Sequence, residues 1–126
     1  VLAELRLTPL AERPYTELSG GERQLVIIGR ALAQGARLLI LDEPLSGLDY
    51  GHQRRLLARL RQLAGAGYGI LMTTHHPDQA QAVAARVAAL HQGRIVSDGS
   101  PEAVVTAATV ALLYGEPLEQ RPTGPR

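Results

Sequence analysis

The chain has 126 residues, 45% of them hydrophobic, which suits one compact domain with a core of ordinary size. Its 13 basic and 12 acidic residues leave a net charge of +1, so there is no general field to attract nucleic acid or acidic lipid, and the absence of cysteine excludes disulfides and thiolate metal sites and fits a reducing compartment. No apolar run approaches the length of a bilayer span, and the first residues lack the charged start and apolar core of a signal peptide.

Every basic residue is Arg, so these residues contain no Gly-x-x-x-x-Gly-Lys-Ser/Thr phosphate loop. Val1 to Leu7 is compatible with the tail of a helix, stopped by Thr8-Pro9, and Leu10 to Tyr15 reads as a connecting loop. Ser19 is an expected helix N-cap, and Glu22 closes a capping box with it. Leu25, Ile28 and Leu32 then recur on one helical face, with Gly35 as the stop after about Gln34. Gly20 and Gly21 lack a Cβ, so another molecule can approach the unpaired amides of this first turn, and the positive helix end suits an anion such as phosphate.

Leu38 to Leu41 is a continuous apolar run that predicts a buried parallel strand, with Asp42-Glu43-Pro44 at its carboxyl end, where ligands sit in open α/β sheets. Asp49 is placed to cap a helix from Tyr50 to about Leu63. Leu56, Leu57, Leu60 and Leu63 form its apolar stripe, while Arg54, Arg55, Arg59 and Arg61 read as a solvated face. After Gly65 and Gly67, Gly69 to Thr74 predicts a second apolar strand that delivers His75 and His76 at its end. Pro77 and Asp78 fit the first turn of a helix to about Ala85. A hairpin of Arg86–Leu90 and Arg94–Ser97 follows around a His-Gln-Gly turn, then a single helix from Ser100 to about Leu113, and a patternless tail.

The order implies an α/β fold with at least part of its sheet parallel. At its strand ends stand two carboxylates and a histidine, the residue types that hold a metal, orient water and offer a donor to a phosphoryl group. Adjacent histidines on extended backbone face opposite ways, and no second ligand pair stands at zinc spacing, so His75-His76 does not read as a zinc site.

The heptapeptide Leu18-Ser-Gly-Gly-Glu-Arg-Gln24 resembles the signature motif of the ATP-binding cassette (ABC) family, with Glu22 where Gln is commoner. Leu38 to Pro44 is similar to Walker B, Ser46 to Asp49 resembles the D-loop, and His75 matches the switch histidine, while His76 and Leu45 depart from the Asp and Thr often found there. The resemblance implies a partial P-loop NTPase core, mostly parallel with flanking helices and lacking the Walker A strand and loop, over residues 1–114, with 115–126 as a flexible tail.

It implies ATP and Mg²⁺ as cofactors, with Asp42 holding the metal through water, Glu43 polarising the attacking water and His75 contacting the γ-phosphate. Ser19, Gly20, Gly21, Gln24 and Asp49 fall on the positions that meet ATP across the interface with a second ABC ATPase subunit. The other implied partners are permease subunits and, for an importer, a substrate-binding protein, with no nucleic acid, and the implied place is cytoplasmic, peripheral on the inner face of the cell membrane. Thr73 to Ala80 and Leu112 to Gly115 look most like ATPases of importers for iron chelates, haem or cobalamin. Without a Walker A loop, little holds ATP on the chain's own side; it is expected to be inactive alone, or an accessory that offers its signature to an intact partner. Open strand edges predict a poorly soluble or oligomeric chain.

Overall fold

A computed structural model of the chain describes residues 20–115. The order is α1 (Gly20–Ala33), β1 (Leu38–Leu41), α2 (Tyr50–Gly65), β2 (Gly69–Met72), α3 (Pro77–Val83), β3 (Val87–His91), β4 (Arg94–Gly99), α4 (Pro101–Val104) and α5 (Ala107–Tyr114). The expected cap at Ser19, the segments before it and the tail beyond Gly115 lie outside the described residues. The chain divides into two compact units, Val1–His75 and His76–Arg126. None of the described helices is long and apolar enough to cross a membrane.

In the first unit the apolar stripes of α1 and α2 close over one face of a parallel strand pair. Ile28 and Leu32 from α1, Leu39 from β1, Leu45 from the loop, and Leu56, Leu60 and Leu63 from α2 form the buried cluster, with Leu57 partly buried against it. Strands β1 and β2 pair in parallel as expected, in the register Leu38↔Gly69, Leu39↔Ile70, Ile40↔Leu71 and Leu41↔Met72.

One expectation fails in an informative way. Leu38–Leu41 was expected to be buried throughout, but only Leu39 is, whereas Leu38 is 59% exposed and Ile40 71%. Successive side chains alternate faces, so Leu39 enters the core while Leu38 and Ile40 occupy the other side beside Leu71, itself 59% exposed. A continuous apolar run suits a strand covered on both faces, and here the helices cover one. Among the described residues, β1 and β2 pair only with each other.

In the second unit β3 and β4 form the expected antiparallel hairpin, offset by an irregularity between Ala89 and Leu90. Gln92 and Gly93 both have positive φ, 48° and 76°, the handedness that fits the twist of a two-residue hairpin turn. Arg86 donates from Nε and Nη2 to the two carboxylate oxygens of Asp98, at 2.8 and 2.6 Å, and this pairing holds the Asp98 carboxyl below its ordinary pKa. The single helix expected from Ser100 is instead two. The Ser100 side chain caps α4, and the Thr106 side chain, on extended backbone, accepts from the Thr109 amide and starts α5 afresh. Gly115, at φ 66°, ends α5 in the left-handed conformation.

Leu56 is 1% exposed between the two helices and the sheet. Leu56→Ala is expected to cost about 3 kcal/mol in chemical denaturation, the usual range for a leucine truncated in a packed core. The open apolar face predicts self-association in sedimentation, shifted toward monomer by the double substitution Ile40→Glu with Leu71→Glu; a monomeric parent chain would contradict that reading.

Candidate functional site

The parallel register decides which residues meet at the carboxyl ends of the strands. Leu41 is opposite Met72, and the Thr73 amide continues the ladder to the Leu41 carbonyl at 3.0 Å, so the next residues, Asp42 and Thr73, stand side by side. The Thr73 hydroxyl donates to Asp42 Oδ1 at 2.5 Å and accepts from the Glu43 amide at 2.9 Å. One hydroxyl therefore joins the two acidic positions.

Glu43 adopts φ 46°, a left-handed conformation that costs roughly 1–2 kcal/mol for a residue with a Cβ. Three contacts hold it there: its amide on Thr73, its carbonyl accepting from the Ser46 amide at 3.1 Å, and its carboxylate on His75. His75 Nδ1 lies 2.8 Å from both Glu43 carboxylate oxygens. A carboxylate only accepts, so Nδ1 carries the proton in this pair. Asp42 is exposed, and the Glu43 and His75 side chains are 39% and 57% exposed, so solvent reaches the whole cluster.

A second group gathers around the head of α1. The Asp49 carboxylate caps α2 by accepting from the His52 amide at 2.8 Å, and the His52 ring Nδ1 lies 2.9 Å from both its oxygens. The His52 backbone bond first, and its side-chain bond second, hold the Asp49 carboxyl below its ordinary pKa. The space that the glycines leave is taken up within the chain: a Cβ on Gly21 would come within 2.6 Å of His52 Cδ2, and one on Gly20 within 3.2 Å of Leu48 Cδ2. Gln53 Nε2 donates to the Leu48 carbonyl at 3.1 Å, fastening the same loop.

The structure thus brings Asp42, Glu43 and His75 together, and separately sets Gly20 and Gly21 against the loop that ends at Asp49. Gln24 is half-buried in α1, and Ser19 lies outside the described residues. Thr73, His52 and Gln53 escaped the sequence analysis. Thr73 was recoverable, because aligning the two apolar runs as parallel neighbours pairs the residue after each. His52 and Gln53 looked like ordinary polar positions of an amphipathic helix.

Among the described residues no group of three or more His, Cys, Asp or Glu side chains could cage a metal. A lone exposed carboxylate does fit Mg²⁺, which characteristically keeps water and takes one or two carboxylates together with substrate phosphates.

The ABC transporter family profile matches residues 1–46. An ABC transporter ATP-binding protein of Haemophilus influenzae is 42% identical over 90% of this chain and 43% of its own length. The hemin import ATP-binding protein HmuV of Hahella chejuensis is 42% identical over 96% of this chain and 53% of its own. Among solved structures, an inward-facing ABC transporter assigned to the metal-chelate type superposes with a TM-score of 0.86 at 36% identity, covering 92% of this chain and 46% of that one. An ATP-binding cassette in its ADP conformation superposes with a TM-score of 0.83 at 28% identity. The chain is similar to ABC transporter ATP-binding proteins in sequence, shares the α/β architecture of their P-loop NTPase domains, and spans about half the length of these relatives.

Thr73→Val removes the hydroxyl that joins Asp42 to the Glu43 amide and is expected to lower stability by about 1 kcal/mol, whereas Thr73→Ser keeps the hydroxyl and most of the stability. Paired denaturation curves check this, and equal losses in the two variants would contradict the bridging role.

Proposed function

We propose that the chain is the part of an ABC importer's ATP-binding subunit that carries the water-activating and metal-holding residues, in a system that couples ATP hydrolysis to uptake of haem or another metal chelate. The observation that carries this reading is the Asp42–Thr73–Glu43–His75 cluster at the carboxyl ends of a parallel strand pair. The names of the relatives and the solved neighbour, hemin import and metal-chelate transport, support the cargo class.

In this reading Asp42 would hold Mg²⁺ through water, and the metal would neutralise charge on the phosphates. Thr73 holds the Asp42 carboxylate in place, and Glu43 orients the attacking water and draws on its proton. For His75 to donate to a phosphate oxygen, its Nε2 must carry a proton, so the ring must be protonated or leave Glu43. Ser19, Gly20, Gly21, Gln24 and Asp49 would face nucleotide held on a second ATPase subunit, and permease subunits with a substrate-binding protein would complete the machine at the inner face of the membrane. Residues 1–114 form the working part of the chain in this assignment.

The 126 residues contain no lysine, so the phosphate loop must come from outside them. The test adds a polypeptide that supplies a Gly-x-x-x-x-Gly-Lys-Ser/Thr loop with its strand. Mg²⁺-dependent ATP turnover is expected only in the mixture, and Glu43→Gln is expected to lower it at least roughly a hundredfold, as for loss of a general base. Turnover unchanged by Glu43→Gln, or a mixture without any, would overturn the assignment.

A further inference from the structure

His52 has no role in the foregoing account, yet it touches two of the segments that the proposed function uses. Its amide and its ring Nδ1 both engage the Asp49 carboxylate, and its Cδ2 edge occupies the place where a side chain on Gly21 would be. These two contacts connect residues that are 28 positions apart, one at the end of the loop before α2 and the other in the first turn of α1. Leu48, from the same loop, fills the corresponding place at Gly20.

We propose that His52 is a positioning residue whose ring sets the Asp49 loop and the Gly20–Gly21 turn in one fixed register, so that the two segments present themselves to nucleotide as a single surface. The claim rests on the reading above for what that surface meets, but the linkage itself does not.

Energetics favour positioning over stability. The Asp49 side chain is 70% exposed, and pairs in that setting contribute little to folding. Their geometric effect is larger, because the ring can satisfy Asp49 and lie against Gly21 only with both segments in place. Gly21 is buried, and any side chain there would displace the ring, so the glycine serves the histidine as well as the helix start. The carboxylate only accepts, so His52 donates to it from Nδ1, while Nε2 is the atom bonded to the carbon nearest Gly21. The Arg55 guanidinium, one turn along α2, adds to the positive field on Asp49.

The test compares His52→Leu, which keeps bulk but loses the donor, with His52→Asn, whose Nδ2 stands about where Nδ1 does and whose Oδ1 falls near the place of Cδ2. In an NMR acid titration of the full chain, the Asp49 carboxyl should titrate below its ordinary 3.8 and the Gly21 amide should shift with the same midpoint. In His52→Leu the Asp49 midpoint should rise only part of the way, since the backbone bond remains, and the Gly21 amide should stop following it. His52→Asn should restore the response. Should acid unfold the chain first, the same comparison is made at neutral pH, where Asp49→Asn should move the Gly21 resonance in the parent background and leave it in place in His52→Leu.

A Gly21 amide that ignores Asp49 in the parent chain, or follows it equally in His52→Leu, would overturn the linkage. In the reconstituted mixture, His52→Leu should lower turnover roughly tenfold to a hundredfold, the scale of a misplaced catalytic segment, and His52→Asn should recover most of it. Turnover unaffected by His52→Leu would overturn the positioning role, whereas a mixture inactive with the parent chain would count against the proposed function and leave the NMR comparison to decide the linkage.

Discussion

The register of one parallel strand pair determines what this chain can do. Because Leu41 is opposite Met72, the chain emerges from the two strands with Asp42 beside Thr73 and, just beyond them, Glu43 within reach of His75. A shift of one residue would turn the side chains of the shifted strand to the opposite face. The packing of Leu39 into the cluster of Ile28, Leu32, Leu56 and Leu60 therefore protects the site as well as the fold. Core and chemistry share one constraint.

That coupling explains how an unfavourable backbone persists at Glu43. Its left-handed conformation is held from three sides, by the Thr73 hydroxyl, the Ser46 amide and the His75 ring. Positive φ at a residue with a side chain survives only where the surroundings over-determine it, and such positions gather at functional sites. The polar links around Asp42, Glu43 and Asp49 are solvent-reached and contribute little to stability one by one. Their effect is to fix direction: which oxygen is occupied, which nitrogen carries the proton, and which loop moves with which helix.

Much of this was legible in the sequence. The 3.6-residue recurrence of Leu56, Leu60 and Leu63 identified α2 and its buried face, and the apolar runs before Asp42 and before Thr73 located a parallel pair. The exposure of Leu38 and Ile40 was not legible, because an apolar run reports the faces a strand is suited to bury and not the neighbours present to bury them. The break between α4 and α5 was missed because Val105 and Thr106 are compatible with a helix, and only the capping bond from Thr109 turns Thr106 into a fresh start. Thr73 and His52 are polar residues whose meaning lies in partners some 30 positions away, which no local period can register.

The central claim is that the cluster beyond β1 and β2 faces the metal and phosphates of a nucleotide. The most direct measurement replaces Mg²⁺ by paramagnetic Mn²⁺ and adds it with ATP to the chain mixed with a polypeptide supplying the Gly-Lys phosphate loop, while the amide resonances are followed by NMR. The account predicts that Asp42, Glu43, Thr73 and His75 broaden first and together, and that Asp42→Ala removes the effect. Broadening centred elsewhere on the chain, or unchanged in Asp42→Ala, would contradict it.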